Sequence, residues 1–223
     1  MPAPASIRAL SLDAGGALLH PRESVAATYS RVARAHGGQR TVPEVDKAFR
    51  EAMSRNSPGQ RYVGDGRPYW RDVVRIATGV EDDACFEVLY RHYASAAAWC
   101  IAPGAVPALD RWRTAGGRVA VVSDWDDRLR PLLSELGLDD LLDTTIISAE
   151  VGVEKPDPAI FLAAVEELNV SPSQVVHLGD SPRRDVEGAR AVGMHAMEWT
   201  GFAPLLSHVV ETLLSGSMPT HRR

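Results

Sequence analysis

Cysteine is close to absent from this chain of 223 residues: the two present, Cys85 and Cys100, are too few and too far apart for a disulfide framework or a thiolate metal site. Both read as reduced thiols. Lysine is equally scarce, since Lys47 and Lys155 are the only two among 24 basic residues, so chemistry that needs an amine has two candidates. No apolar run approaches the roughly 18 residues of a membrane span. The opening MPAPASIRAL also lacks the basic segment and long apolar stretch of a secretory signal, so the expected location is the cytoplasm, with no membrane partner. An excess of positive charge is missing too. A net charge of −5 and a pI near 5.8 argue against a binder of nucleic-acid backbones, which needs clustered Lys and Arg to displace counterions. A small anion remains within reach of a single local basic group.

What is there suffices for a folded protein: 45% of residues are hydrophobic and 24% charged, and the length allows either one large domain or a core with an insert. Short apolar runs at 7–13 (IRALSLD), 118–123 (RVAVVS), 144–148 (TTIIS), 174–179 (QVVHLG) and 193–199 (GMHAMEW) read as buried strands ending at polar residues or Gly. Helical patterns lie between them at 105–115, 129–136, 158–168 and 181–191. Alternation of this kind predicts an α/β fold, a parallel sheet with helices on both faces. From Pro21 to Trp99 the pattern changes to helices at 22–36, 42–55, 68–78 and 82–97, with Val25, Tyr29 and Val32, and again Trp70, Val73, Val74 and Ala77, at helical spacing. The first strand is therefore expected to be followed by an all-helical insert. Residues near 56–66 read as a loop joining its helices, and SGSMPTHRR as a flexible tail.

Ligands of open parallel sheets bind beyond the carboxyl ends of the strands. Polar clusters stand at those ends: Asp13 after the first core strand, Ser123 and Asp124 after the second, Lys155 in the EVGVEKPDP loop after the third, and Asp180 after the fourth. Singly, each is a turn or a helix cap. Together and in this order they are expected to converge on one site.

The ordered set LSLDAGGALL, VVSDWD, EKPDP and HLGDSPRRD resembles the four motifs of the haloacid dehalogenase-like hydrolases, and VGVEKPDPAIF and ARAVGMHA extend the likeness across nearly the whole chain. The resemblance implies a Rossmann-like core of residues 1–18 and 101–215, a helical cap of residues 19–100 and a tail at 216–223. It implies a hydrolase, a phosphatase of small phosphorylated metabolites, with Asp13, Ser123, Lys155 and Asp180 as its catalytic set. Asp13 would be the nucleophile that becomes an aspartyl phosphate. Mg²⁺ would be held by Asp13, the backbone carbonyl of Gly15 and Asp180, all hard oxygen donors. Ser123 and Asp124 with nearby amides, and Lys155, would bind the phosphate. Asp185 has two open readings, orienting the metal's surroundings or favouring a helix N-terminus.

The departures matter as much. The family's phosphatases carry an acid/base Asp two positions after the nucleophile, and this chain has Gly15; Ala17 stands where Thr is common and Asp124 where Asn is frequent. Losing an acid/base typically costs about 10² to 10⁴ in rate. His20, Asp124 and Asp126 are candidate replacements. Alternatives follow from the same gap: a catalytically idle binding or regulatory protein, a true haloacid dehalogenase, which also lacks the second Asp but whose fourth motif lacks the metal carboxylate that this chain keeps at Asp180, or a phosphonatase in which the insert's Lys47 would form a Schiff base. Tyr62, Tyr69, Trp70 and Trp125 read either as core or as walls of a substrate pocket. No protein partner or oligomeric state is legible.

Overall fold

Each of the five apolar runs forms a strand, and two short ones join them. In chain order the strands among the described residues are β1 (Ala9–Leu12), β2 (Leu19–Pro21), β3 (Trp99–Ile101), β4 (Arg118–Ser123), β5 (Thr144–Ile147), β6 (Val175–Gly179) and β7 (His195–Glu198). The structure, a computed structural model, describes residues 6–55, 65–201 and 205–219. Tyr62, most of the expected loop at 56–66 and the last four residues of the expected tail lie outside them.

The main sheet is wholly parallel, in the order β5-β4-β1-β6-β7. The chain leaves β1 for β4 and β5 on one side and returns to β6 and β7 on the other. The winding therefore reverses at β1, and the crevice beyond the carboxyl ends of β1, β4 and β6 is where such a sheet places a ligand. Burial on both faces explains the unbroken apolar runs: every residue of β1 and of β6 is buried.

The helices are α1 (Val25–Ala35), α2 (Val42–Arg55), α3 (Arg67–Thr78), α4 (Asp83–Tyr93), α5 (Ala105–Thr114), α6 (Leu129–Glu135), α7 (Ser148–Val151), α8 (Pro158–Leu168), α9 (Gly188–Ala191) and α10 (Leu205–Leu214). Local chemistry sets several ends. Asp157 accepts the Ala159 N–H at 2.8 Å and Pro158 opens α8, which stops at Asn169 in the left-handed region. The helix expected at 82–97 ends at Tyr93, because Ser95 takes the Ala97 N–H and starts a separate 3₁₀ turn at Ala96–Ala98. The helix expected at 181–191 opens with wide turns over Pro182–Glu187, in which Val186 donates back to the Ser181 carbonyl at 3.2 Å.

Contacts divide the chain into two compact units, Met1–His20 with Ile101–Asp124 and Leu136–Arg223, and Pro21–Cys100 with Trp125–Glu135. The first holds the parallel sheet, with α8 packed on it through Ile160, Phe161, Ala164 and Leu168 against Ala120, Val122 and Val175. The second is helical, its core formed by Tyr29, Val32, Val45, Val74, Phe86 and Leu89. Residues 125–135 follow a sheet strand in sequence yet group with the helices. Trp70 Nε1 donates to Asp126 at 2.7 Å, and Arg128 donates to both Asp126 oxygens and, at 3.3 Å, to the Tyr90 carbonyl. Among the described residues no helix is long and apolar enough to cross a membrane.

Candidate active site

Asp13 stands one residue beyond β1, with its N–H donated to the Leu178 carbonyl of β6 at 2.8 Å. That bond extends the β1–β6 ladder by one step, so the Asp13 carboxylate opens beside the start of the β6 loop. The turn that follows is tight. Gly16 has φ 85°, and a Cβ there would lie 2.2 Å from Asp180 Oδ2, so the loop backbone rests directly on the Asp180 carboxylate. Only glycine permits both the left-handed backbone and that approach.

Three donors converge on one oxygen of Asp13. Its own neighbour's amide, Ala14 N–H, donates to Oδ1 at 2.8 Å, the Ser123 hydroxyl donates at 2.9 Å, and Lys155 Nζ lies 2.8 Å away. Among the described residues Oδ2 receives no hydrogen bond, so the carboxylate has one oxygen fixed and one open. Lys155, only 4% exposed, also donates to Asp185 Oδ1 at 2.6 Å. Its backbone N–H donates to Asp124 Oδ1 at 2.9 Å, while Arg184 pairs with Asp124 Oδ2. Asp124 is thus a clamp between the Lys155 loop and the helical turn after β6, with both its oxygens engaged by cationic or amide donors.

Asp13, Asp180 and Asp185 offer carboxylate oxygens that all lie within 4.8 Å of one another. Three carboxylates against the one ammonium of Lys155 leave two negative charges when all are ionised, the balance that a divalent cation would neutralise. The titration behaviour reports the same crowding. Although Asp180 has much of its surface in solvent, desolvation of its carboxyl and the negative charges of Asp13 and Asp185 push it up to about 6. Burial raises Asp13 above the usual carboxylate range, with Lys155 opposing. Burial would lower the Lys155 ammonium, but the charges of Asp13, Asp185 and Asp124 outweigh it and hold it above the ordinary lysine value. Asp185 is buried as well, yet hydrogen bonds from His177 and Lys155 keep it well below the carboxylate range. Hard oxygen donors with an open carboxylate oxygen among them suit Mg²⁺ better than a soft metal.

Asp13, Ser123, Asp124, Lys155 and Asp180 all fall in the sheet unit, where Ser123 and Lys155 both contact Asp13. Asp185 is 1% exposed, bound by Lys155, His177 and the Ser181 N–H at 3.0 Å and part of the carboxylate cluster, a setting that goes beyond a charge at a helix terminus. The candidate replacements for the missing acid are otherwise engaged. His20 makes a 3.0 Å hydrogen bond to the Ala17 carbonyl through Nε2, and burial lowers its pKa. Asp126 is bound by Arg128 and Trp70 in the helical unit. Lys47 lies exposed on α2 of the helical unit. The aromatics pack: Tyr69 meets Trp70 edge-on at 5.2 Å, and Trp125 meets Trp99 at 5.1 Å. Ser11, His177 and Arg184 are functional neighbours that the motifs do not single out; the one signal Ser11 and His177 carry is that of a polar residue inside an apolar strand.

Known proteins agree with this frame. The family model for the haloacid dehalogenase-like hydrolases matches residues 7–193. The chain is 35% identical over 211 residues to "Haloacid dehalogenase-like hydrolase domain-containing protein 3" of Bos taurus, covering 89% of this chain and 84% of that one. The Homo sapiens protein of the same name is 32% identical over 243 residues, at 96% and 97% coverage. Among solved structures, a HAD phosphatase from Thermococcus onnurineus superposes with TM-score 0.63 at 26% identity, covering 85% of each chain. Motif order, strand order and these matches agree, and the chain belongs to the haloacid dehalogenase-like hydrolase family.

Proposed function

We propose that this protein is a Mg²⁺-dependent phosphohydrolase acting on a small phosphorylated substrate, with Asp13 as nucleophile and with turnover slowed by Gly15. The observation that carries this reading is the uncompensated charge at the site, three carboxylates within 4.8 Å of one another around a single buried ammonium. Mg²⁺ held by Asp13, Asp180 and the Gly15 carbonyl would supply the positive charge that lets a phosphate group approach these acids. A relative named "Glyceraldehyde 3-phosphate phosphatase", from Methanopyrus kandleri, is 34% identical over 98 residues, 41% of this chain and 40% of that one, and supports the phosphomonoester class.

In this reading an Asp13 oxygen bonds to phosphorus as the bond from phosphorus to the leaving oxygen breaks. Ser123 and Lys155, which both contact Asp13 Oδ1, are placed to turn their donors to the phosphoryl oxygens. Water then attacks the aspartyl phosphate, releasing inorganic phosphate and restoring the carboxylate. The weak step is protonation of the leaving oxygen, because Gly15 offers no side chain. Substrates whose leaving groups depart without a proton, aryl or acyl phosphates, should therefore be turned over best.

Phosphate release from an aryl phosphate, with and without Mg²⁺, tests this. Asp13→Asn should abolish it, and a rate unchanged by that substitution would sink the proposal. Gly15 does not share the left-handed backbone of Gly16, so Gly15→Asp meets no such backbone penalty. It should raise turnover of alkyl phosphates by about 10² to 10⁴. Gly15 also favours a second reading, a binding protein that keeps the pocket without turnover. If Gly15→Asp binds Mg²⁺ and stays inert on a broad panel of phosphates, that second reading replaces the first.

A further inference from the structure

Beneath the acidic cluster lies a line of polar side chains to which the proposed reaction gives no part. His177 is in the middle of β6 and 0% exposed, and Ser11, its register partner on β1, is equally buried. A buried imidazole must have its ring nitrogens satisfied, and here both are: Nδ1 is 2.9 Å from Ser11 Oγ and Nε2 is 3.1 Å from Asp185 Oδ1. The Phe161 ring stands edge-on to the imidazole at 5.2 Å and 89° and fixes its plane. An ionised Asp185 only accepts, so Nε2 carries a proton and donates it, and Nδ1 shares a hydrogen bond with the Ser11 hydroxyl.

Serine, histidine and aspartate in this order could activate a hydroxyl nucleophile in an open site. Here none of the three is more than 1% exposed, so no substrate reaches Ser11. What the line does reach is Lys155. Asp185 Oδ1 accepts from both His177 and Lys155, while Oδ2 accepts the Ser181 N–H at 3.0 Å. Without the imidazole donor, one of the bonds setting the carboxylate's rotation is gone, and the ammonium 2.8 Å from Asp13 loses its fixed anchor.

We propose that His177, itself held by Ser11, is a positioning residue that orients Asp185 and thereby places the Lys155 ammonium against Asp13. What that placement serves rests on the phosphohydrolase reading; the placement itself does not. The scarcity of lysine makes it directly observable, since full-length protein labelled with ¹⁵N-lysine carries two side-chain signals, exposed Lys47 and buried Lys155. His177→Gln sets an amide N–H close to the position of Nε2 and keeps the donor to Asp185. His177→Asn sets one nearer Nδ1, towards Ser11, and loses it.

The Lys155 ammonium signal should persist, protected from exchange, in wild type and in His177→Gln, and should shift or vanish in His177→Asn while Lys47 stays unchanged. Mg²⁺ titration of the same proteins should show His177→Asn weaker by about ten-fold, the lower end of what partners behind metal ligands contribute. Wild type and His177→Gln should agree within about two-fold on that scale. A packing role alone would not rank Gln above Asn in the Lys155 signal. An unaltered Lys155 signal in folded His177→Asn overturns the proposal. Should that variant not fold, Ser11→Ala takes its place and is expected to broaden the Lys155 signal; no change there overturns the proposal equally. If the signals behave as expected and wild type releases no phosphate from any substrate, the positioning role stands and the phosphohydrolase reading fails.

Discussion

Asp180 shows how a site residue works against the fold that carries it. Its pKa is raised from 3.8 to about 6, so between those values the folded protein holds a proton that the unfolded chain has released. Stability therefore falls as pH rises through that window, and above it the full cost of the ionised carboxylate is present. Asp180→Asn should stabilise the metal-free protein at neutral pH by on the order of 1 kcal/mol, after discounting for solvent screening of an exposed group. Below pH 3.8 the two proteins should melt alike. The same variant should lose the upward shift in melting temperature that Mg²⁺ gives wild type, because a neutral amide removes a ligand charge. A variant that melts lower than wild type at neutral pH without metal would contradict the charge argument. Asp180 was legible because it interrupts an apolar strand with an acid at a chain reversal, as were Asp13 and Ser123. His177 and Ser11 were not, since a polar residue inside a strand has the same sequence appearance whether it packs, caps or forms a relay. Only the register that sets Ser11 opposite His177 tells them apart.

At the scale of elements, the loop from Asp13 to Leu19 carries the most constraint per residue. Leu18 and Leu19 donate back to the Asp13 and Ala14 carbonyls at 3.2 and 2.7 Å, closing the turn that lays Gly16 on Asp180. Gly16→Ala meets two obstacles, a left-handed φ of 85° and a carboxylate oxygen 2.2 Å from its new Cβ. The backbone conformation alone costs about 1 kcal/mol, and relieving the contact must move either the loop or Asp180. Gly16→Ala is expected to lower the urea midpoint and to abolish Mg²⁺-induced stabilisation, while Gly15→Ala keeps both near wild type. Equal Mg²⁺ responses in the two variants would show that the close approach to Asp180 is not needed. The core strands and helices were readable from hydrophobic periodicity, which needs several residues to register. β2 and β3, of three residues each, fall below that length, and both are held by neighbours distant in sequence. α10 was missed although Leu206, Val209 and Val210 bury one face of it at helical spacing.

At the scale of the whole molecule, the chain's order and its contacts part company at residues 125–135. The sequence places them between a sheet strand and the next one, and apolar Leu129, Leu132 and Leu133 would serve a helix packed anywhere. Their assignment comes from Asp126 and Arg128, whose partners Trp70 and Tyr90 lie far back in the chain, and no periodicity announces such a pairing. Arg128 is enclosed, its guanidinium 4.0 Å from the Tyr90 ring centroid and 5.5 Å from that of Trp70. Asp126, 1% exposed, depends on it for charge balance. Arg128→Met keeps the aliphatic length and leaves a buried carboxylate with the indole N–H but no cation, which typically costs about 3 to 5 kcal/mol. Asp126→Leu combined with Arg128→Met removes both charges and should recover much of that loss, because two desolvated ions are exchanged for apolar packing. Urea denaturation of the single and double variants distinguishes the outcomes: a double variant as unstable as Arg128→Met would mean that lost packing around Trp70 and Tyr90, not the stranded charge, is what destabilises the helical unit.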